Sequence, residues 1–206
     1  MQPRYFIFIL LLFLGLVALY LFSGKEEVVD RSQNGESIIA FGDSLVEGVG
    51  ASPEHNFVSV LSQRLRTPII NAGVSGDTTE TALIRFEKDV LGLNPKIVIL
   101  LLGGNDGLRK LPIEDMFSRL RVMIDRTHEA GAAVLLVGVS PKIFSKEFNR
   151  KFAKLAEETK VSFVPDILKG LVGRPEYMSD PIHPSDKGYA VIADRIEPVL
   201  KKMLQK

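Results

Sequence analysis

Cysteine is absent from the 206-residue chain, which excludes a disulfide scaffold, a thiolate zinc site, an iron–sulfur cluster and a cysteine nucleophile. An excess of either charge is lacking too. Arg4 is the only charged side chain before Lys25, and beyond it 25 basic residues stand against 25 acidic ones. That balance excludes a nucleic-acid module built on a basic surface, and it excludes an acidic disordered tail. There is no internal repeat and no low-complexity segment. A phosphate-binding loop is missing as well: Gly42 to Gly50 is glycine-rich, but no Lys-Ser or Lys-Thr follows it and its glycines are not spaced G-x-G-x-x-G. The length suits one globular domain and little more.

The hydrophobic share is unevenly spread. Tyr5 to Phe22 are 18 consecutive uncharged residues, and only Gly15 among them falls outside the apolar and aromatic set. A run of that length is about the minimum for a helix crossing a roughly 30 Å hydrocarbon core, and it exceeds the roughly 7–15 apolar residues of a cleaved secretory signal. Residues 1–24 are therefore expected to be an uncleaved transmembrane anchor, with a cleaved signal and a secreted product as the alternative. The stub of four residues favours the N-terminus inside and the domain on the extracytoplasmic side, periplasmic or at the cell surface. Residues 25–36 are polar and without periodicity and read as a tether. Residues 37–206 form the globular domain.

Within that domain short apolar runs alternate with amphipathic ones. The strand candidates are Ser37–Phe41, Pro68–Asn71, Lys96–Leu102, Ala132–Val139 and Ser162–Pro165. The third and fourth are apolar almost throughout, as parallel strands covered on both faces are. Met116, Phe117, Leu120, Met123 and Ile124 make one helical stripe, Phe148, Phe152 and Leu155 a second, and Tyr189, Ile192, Ile196, Leu200 and Met203 a third. Pro112 suits a first helical turn, and Gly131 the left-handed position after a helix. Five strands alternating with helices predict a doubly wound α/β domain with a parallel sheet covered on both faces. In such sheets ligands bind beyond the carboxyl ends of the strands.

Glycine-bearing turns follow the first three strands: Gly42-Asp43-Ser44-Leu45, Asn71-Ala72-Gly73-Val74-Ser75-Gly76-Asp77, and Gly103-Gly104-Asn105-Asp106-Gly107. Singly, each is explained by the backbone preferences of turns. Ser75 resembles the serine of a nucleophile elbow, but the pattern G-x-S-x-G fails at Asp77. Near the C-terminus stands Asp180-Pro181-Ile182-His183-Pro184. Both Asp180 and His183 precede a proline and are pushed towards extended geometry. A stiff loop of this kind lets the carboxylate meet Nδ1 while Nε2 points outward, as a general base requires. Asp186 is the rival acid, but it sits where a negative charge favours the start of a helix. Asp43 and Asp106 read as turn-binding carboxylates. His55 and His128 fall in helical patterns and read as surface or structural residues.

Taken together, FGDSL, NAGVSGDT, LLGGND and DPIHP resemble the sequence blocks of the GDSL, or SGNH, hydrolases, most closely the bacterial thioesterase–lysophospholipase–arylesterase subgroup. The resemblance implies a three-layer α/β/α, flavodoxin-like SGNH fold with a five-stranded parallel sheet. It implies a nucleophile at Ser44, a base at His183 and an orienting acid at Asp180. It also implies an oxyanion hole made by the backbone N–H groups of Ser44 and Gly76 and the side-chain amide of Asn105. The sequence shows no metal-ligating cluster, so no cofactor is expected. The expected substrate is a small-molecule or lipid ester or thioester, with deacetylation of an envelope polysaccharide, or a catalytically idle binding domain, as alternatives. Leu108, Leu111, Ile143 and Phe144, on the loops after the third and fourth strands, are candidates for contact with the acyl chain. The short segment from Ser140 to Ser145 is expected to trim the acyl-binding wall.

Overall fold

The computed structural model describes residues 35–140 and 145–205. Five strands form one parallel sheet: β1 (Ser37–Gly42), β2 (Ile69–Gly73), β3 (Pro95–Leu101), β4 (Ala133–Val137) and β5 (Ser162–Val164). Their order is β2-β1-β3-β4-β5, with Ile38 beside Ile69 on one side and Ile97 on the other. The helices are α1 (Ser44–Glu47), α2 (Phe57–Leu65), α3 (Thr79–Asp89), α4 (Gly104–Leu108), α5 (Ile113–Glu129), α6 (Ser145–Thr159) and α7 (Asp186–Leu204). Helix α2 packs on α7, whereas α3 packs on α5 and α5 on α6, so the sheet is sandwiched between two helical layers.

The apolar content of the strands explains this architecture. Every residue of β4, and every residue of β3 except Lys96, is buried, as sheets covered on both faces require. The three helical stripes are buried as expected, and Phe117 on α5 meets Phe152 on α6 edge to face at 5.0 Å between ring centroids. Gly131 takes φ 76°, the left-handed conformation that closes α5.

Some boundaries differ from expectation. Strand β4 stops at Val137; the Gly138 N–H still donates to the Val164 carbonyl at 2.8 Å, and Val139 lies beyond the strand. Pro112 caps α5 from outside instead of starting its first turn. His55 lies in the turn before α2, not in a helix, with Nδ1 2.8 Å from the Pro53 carbonyl oxygen. The proposed anchor, residues 1–24, and nearly all of the tether lie outside the described residues. Among the described residues no helix is long and apolar enough to cross a membrane.

The strand order reverses at β1, between β2 and β3. The crevice beyond the carboxyl ends of these strands is where such a sheet places its ligand.

Candidate active site

Ser44 stands at that crevice two residues after Gly42, the last residue of β1, where there is room for no side chain but hydrogen. A Cβ at Gly42 would lie 2.2 Å from the Leu101 carbonyl oxygen and 2.5 Å from Val46 Cγ2. Asp43 then caps the short helix α1, its carboxylate accepting the Leu45 N–H at 3.0 Å. This lifts Ser44 to the mouth of a cavity, largely buried but open on one side.

His183 reaches it from the opposite loop. Its Nε2 lies 3.0 Å from Ser44 Oγ, and its Nδ1 lies 2.7 Å from Asp180 Oδ2. The other Asp180 oxygen accepts the backbone N–H groups of Ile182 and His183, each at 2.7 Å. The His183 hydrogen bond, followed by those two N–H groups, holds the Asp180 carboxyl down at about 2. An ionised Asp180 can only accept, so Nδ1 carries the proton and Nε2 accepts from the Ser44 hydroxyl. The loop itself is held by the Ser179 N–H on the His183 carbonyl and by close packing at Gly50, where a Cβ would meet Ser179 Oγ at 2.2 Å.

The rival residues are accounted for. Asp186 begins α7 and accepts the Ser52 N–H at 2.7 Å and the Ser52 hydroxyl, tying the loop after α1 to that helix. Ser75 is exposed, and its backbone N–H donates to the Glu47 carboxylate at 2.6 Å.

The three donors that the resemblance implies stand after three different strands. The Ser44 N–H opens α1, where a backbone donor has no intrahelical acceptor. Gly76 takes φ 83°, a conformation that disfavours any side chain, and the space beside its Cα is open except for Arg109 Nη2. The Gly76 carbonyl accepts from that same Arg109 nitrogen at 2.8 Å. Asn105, in the first turn of α4, donates Nδ2 to the Asp77 carbonyl at 2.9 Å.

Two carboxylates do more than hold turns. Asp106 receives the N–H of Thr79 at 2.9 Å and its hydroxyl at 2.6 Å, joining α4 to the start of α3 rather than its own turn. Asp43 binds its own turn, as expected, but it also faces the Asn105 amide, and burial pushes its carboxyl up to about 7.

A cavity of about 230 Å³ opens at Ser44. Its apolar wall is made by Leu45, Leu108, Val139, Leu168, Val172 and Ile182. Of the acyl-contact candidates Leu108 is in this wall and Leu111, which follows α4, is not. Ile143 and Phe144 lie outside the described residues. Leu168 and Val172 were not anticipated, although they follow β5 and so obey the same strand-end rule. Among the described residues no group of three or more His, Asp or Glu side chains is arranged to hold a metal ion.

Comparison with known proteins places this geometry in context. The sequence profile of the GDSL-like lipase/acylhydrolase family matches residues 40–191. An arylesterase of Vibrio mimicus is 32% identical over 184 residues, covering 84% of this chain and 92% of that protein. The thioesterase 1/protease 1/lysophospholipase L1 of Escherichia coli K12 is 30% identical over 172 residues, covering 80% and 83%. Among solved structures, the crystal structure of TesA superposes with a TM-score of 0.76 at 28% identity, covering 82% of this chain and 99% of that one.

Proposed function

The chain belongs to the GDSL-like lipase/acylhydrolase family and is a carboxylic ester hydrolase; from that premise we propose that it works through an acyl-enzyme on Ser44. The observation that carries this reading is the continuous relay Asp180–His183–Ser44, with contacts of 2.7 and 3.0 Å. A serine hydroxyl is a weak nucleophile at neutral pH and needs a base within hydrogen-bond reach. His183 Nε2 takes the proton as Oγ attacks the acyl carbonyl, and Asp180 stabilises the imidazolium that forms. The developing oxyanion is received by the N–H groups of Ser44 and Gly76 and by the Asn105 amide. His183 then returns the proton to the leaving alcohol or thiol. A water activated by the same imidazole releases the acid.

The substrate we propose is an ester or thioester of a short-to-medium acyl chain. The cavity, at about 230 Å³, is smaller than the roughly 300–1,000 Å³ of pockets that enclose a drug-sized ligand. Its wall is apolar, which suits a hydrocarbon chain better than a sugar. We also propose that the apolar run Tyr5–Phe22, long enough to span a bilayer, anchors the enzyme with its domain on the extracytoplasmic side.

Hydrolysis of p-nitrophenyl esters by the wild type and by Ser44→Ala, together with labelling by a fluorophosphonate, tests the reading. The label is expected on Ser44, with turnover lost in the variant. A label that maps to Ser75 and survives Ser44→Ala would refute it.

A further inference from the structure

The three proposed oxyanion donors come from three different strand ends. Ser44 follows β1, Gly76 follows β2 and Asn105 follows β3. They stabilise a transition state only if their spacing is held without reorganisation. One of the side chains outside the cavity bonds to two of these loops at once.

Arg85 lies on α3 and directs its guanidinium under the strand ends. Its Nη2 donates to the Gly42 carbonyl at 2.9 Å, two residues before the nucleophile. Its Nε donates to Asp77 Oδ2 at 2.7 Å, one residue after Gly76. Asp77 in turn accepts the Asn105 amide on its backbone carbonyl at 2.9 Å and the Thr81 hydroxyl on its other carboxylate oxygen at 2.7 Å. The outer nitrogen Nη1 reaches Asp89 at 3.0 Å, and the guanidinium carbon stacks 4.2 Å from the centroid of the Phe41 ring. The Arg85 and Asp77 side chains are only 17% and 10% exposed, so this pair is not a solvent-screened surface bridge.

We propose that Arg85 is the positioning residue of the oxyanion hole, holding the Gly42–Ser44 turn and the Gly76–Asp77 turn at a fixed separation and, through the Asp77 carbonyl, aiming Asn105. The inference rests on the reading of Ser44 as nucleophile. Arg85 does not line the cavity. Its three acceptors are met by three different nitrogens, Nε, Nη1 and Nη2, a fixed fork that a lysine ammonium does not offer. The Gly42 carbonyl already accepts the Val74 N–H at 3.0 Å, so the Arg85 bond fills its second lone pair and leaves that turn no alternative partner. Loosening this clamp displaces donors needed in the transition state more than in the ground state. The loss therefore falls on kcat rather than KM.

The test uses the full chain as wild type, Arg85→Met, Arg85→Lys and Asp89→Asn, with p-nitrophenyl butyrate as substrate. An alkyl trifluoromethyl ketone, which forms a tetrahedral adduct with an active serine, serves as the transition-state probe. Arg85→Met keeps the apolar stem over Phe41 and is expected to lower kcat about 30-fold or more with KM changed less than about 3-fold, and to weaken the ketone by a matching factor. Arg85→Lys falls between, and Asp89→Asn stays within about 3-fold of wild type. A folded Arg85→Met with kcat near wild type, a loss confined to KM, or unchanged ketone affinity would each overturn the proposal. If Arg85→Met does not fold, Arg85→Lys decides by the same readings. Turnover persisting in Ser44→Ala would defeat the nucleophile assignment itself. An inactive Ser44→Ala beside wild-type-like Arg85 variants would defeat only the clamp.

Discussion

The Asn105 amide and the Asp43 carboxyl face each other beside Ser44, with Nδ2 3.5 Å from Oδ2, and both line the cavity. Asp43 is 2% exposed. Burial is the largest cause that raises its carboxyl from 3.8 to about 7, against the lowering effect of the Leu45 N–H. A buried carboxylate one residue from Ser44, the proposed nucleophile, thus changes charge near neutrality.

That titration has a sign. Between 3.8 and about 7 the native state holds a proton on Asp43 that the unfolded chain has released. The free energy of unfolding therefore falls as pH rises through this window, by a contribution on the order of 4 kcal/mol. Asp43→Asn keeps a capping side chain and has no proton to lose. Urea denaturation of both proteins is expected to show the variant gaining on wild type as pH goes from about 4 to about 8. A constant difference across that range would show that Asp43 does not titrate there.

His183→Ala and Asp180→Ala are each expected to lose at least about 100-fold in kcat/KM, and the double variant to be little worse than His183→Ala. Groups that act as one unit give non-additive losses. Asp186→Ala removes the bonds to Ser52 and is expected to lower thermal stability with kcat/KM within a few-fold of wild type. If Asp186→Ala were the more damaging of the two aspartate changes at equal stability, the orienting acid would have to be reassigned.

How much of this was legible in the sequence depends on how far each signal travels along the chain. The runs of β3 and β4 are apolar almost without a break, a signal contained within each strand, and were readable within one or two residues. The Asp180–His183 pair was readable because both partners sit in one proline-stiffened loop of five residues. Arg85 was not, since a charged residue in an amphipathic helix looks like a solvated one and its Gly42 partner is 43 residues away. Asp106 hid its role in the same way, with Thr79 27 residues off. Leu168 and Val172 follow β5 in a segment without a regular period, so only the strand-end rule could have drawn attention to them.

The full-length chain is expected to keep its first residue and to stay with membranes after carbonate washing. The 18-residue apolar run is long enough to span, whereas a peripheral attachment would be released at high pH. An N-terminal sequence beginning near Gly24 would instead establish a cleaved signal and a soluble product.

Acyl-chain preference is expected to follow the cavity wall. Each methylene buried there contributes about 0.8 kcal/mol, so kcat/KM for p-nitrophenyl esters rises with chain length until the space is filled. Leu168 is buried, and Leu108 is half exposed at the rim. Leu168→Ala enlarges the interior and shifts the optimum to longer chains, but at a cost of about 2–4 kcal/mol in stability, so it has to be compared at a temperature where both proteins are folded. Leu108→Ala leaves no internal void and removes only rim contact. It weakens the longer esters while sparing acetate, with little change in stability. Val139→Phe fills the space beside Ser44 and turns preference towards acetate. A flat response of every chain length to all three changes would place the acyl group outside this cavity, on the side of the leaving group.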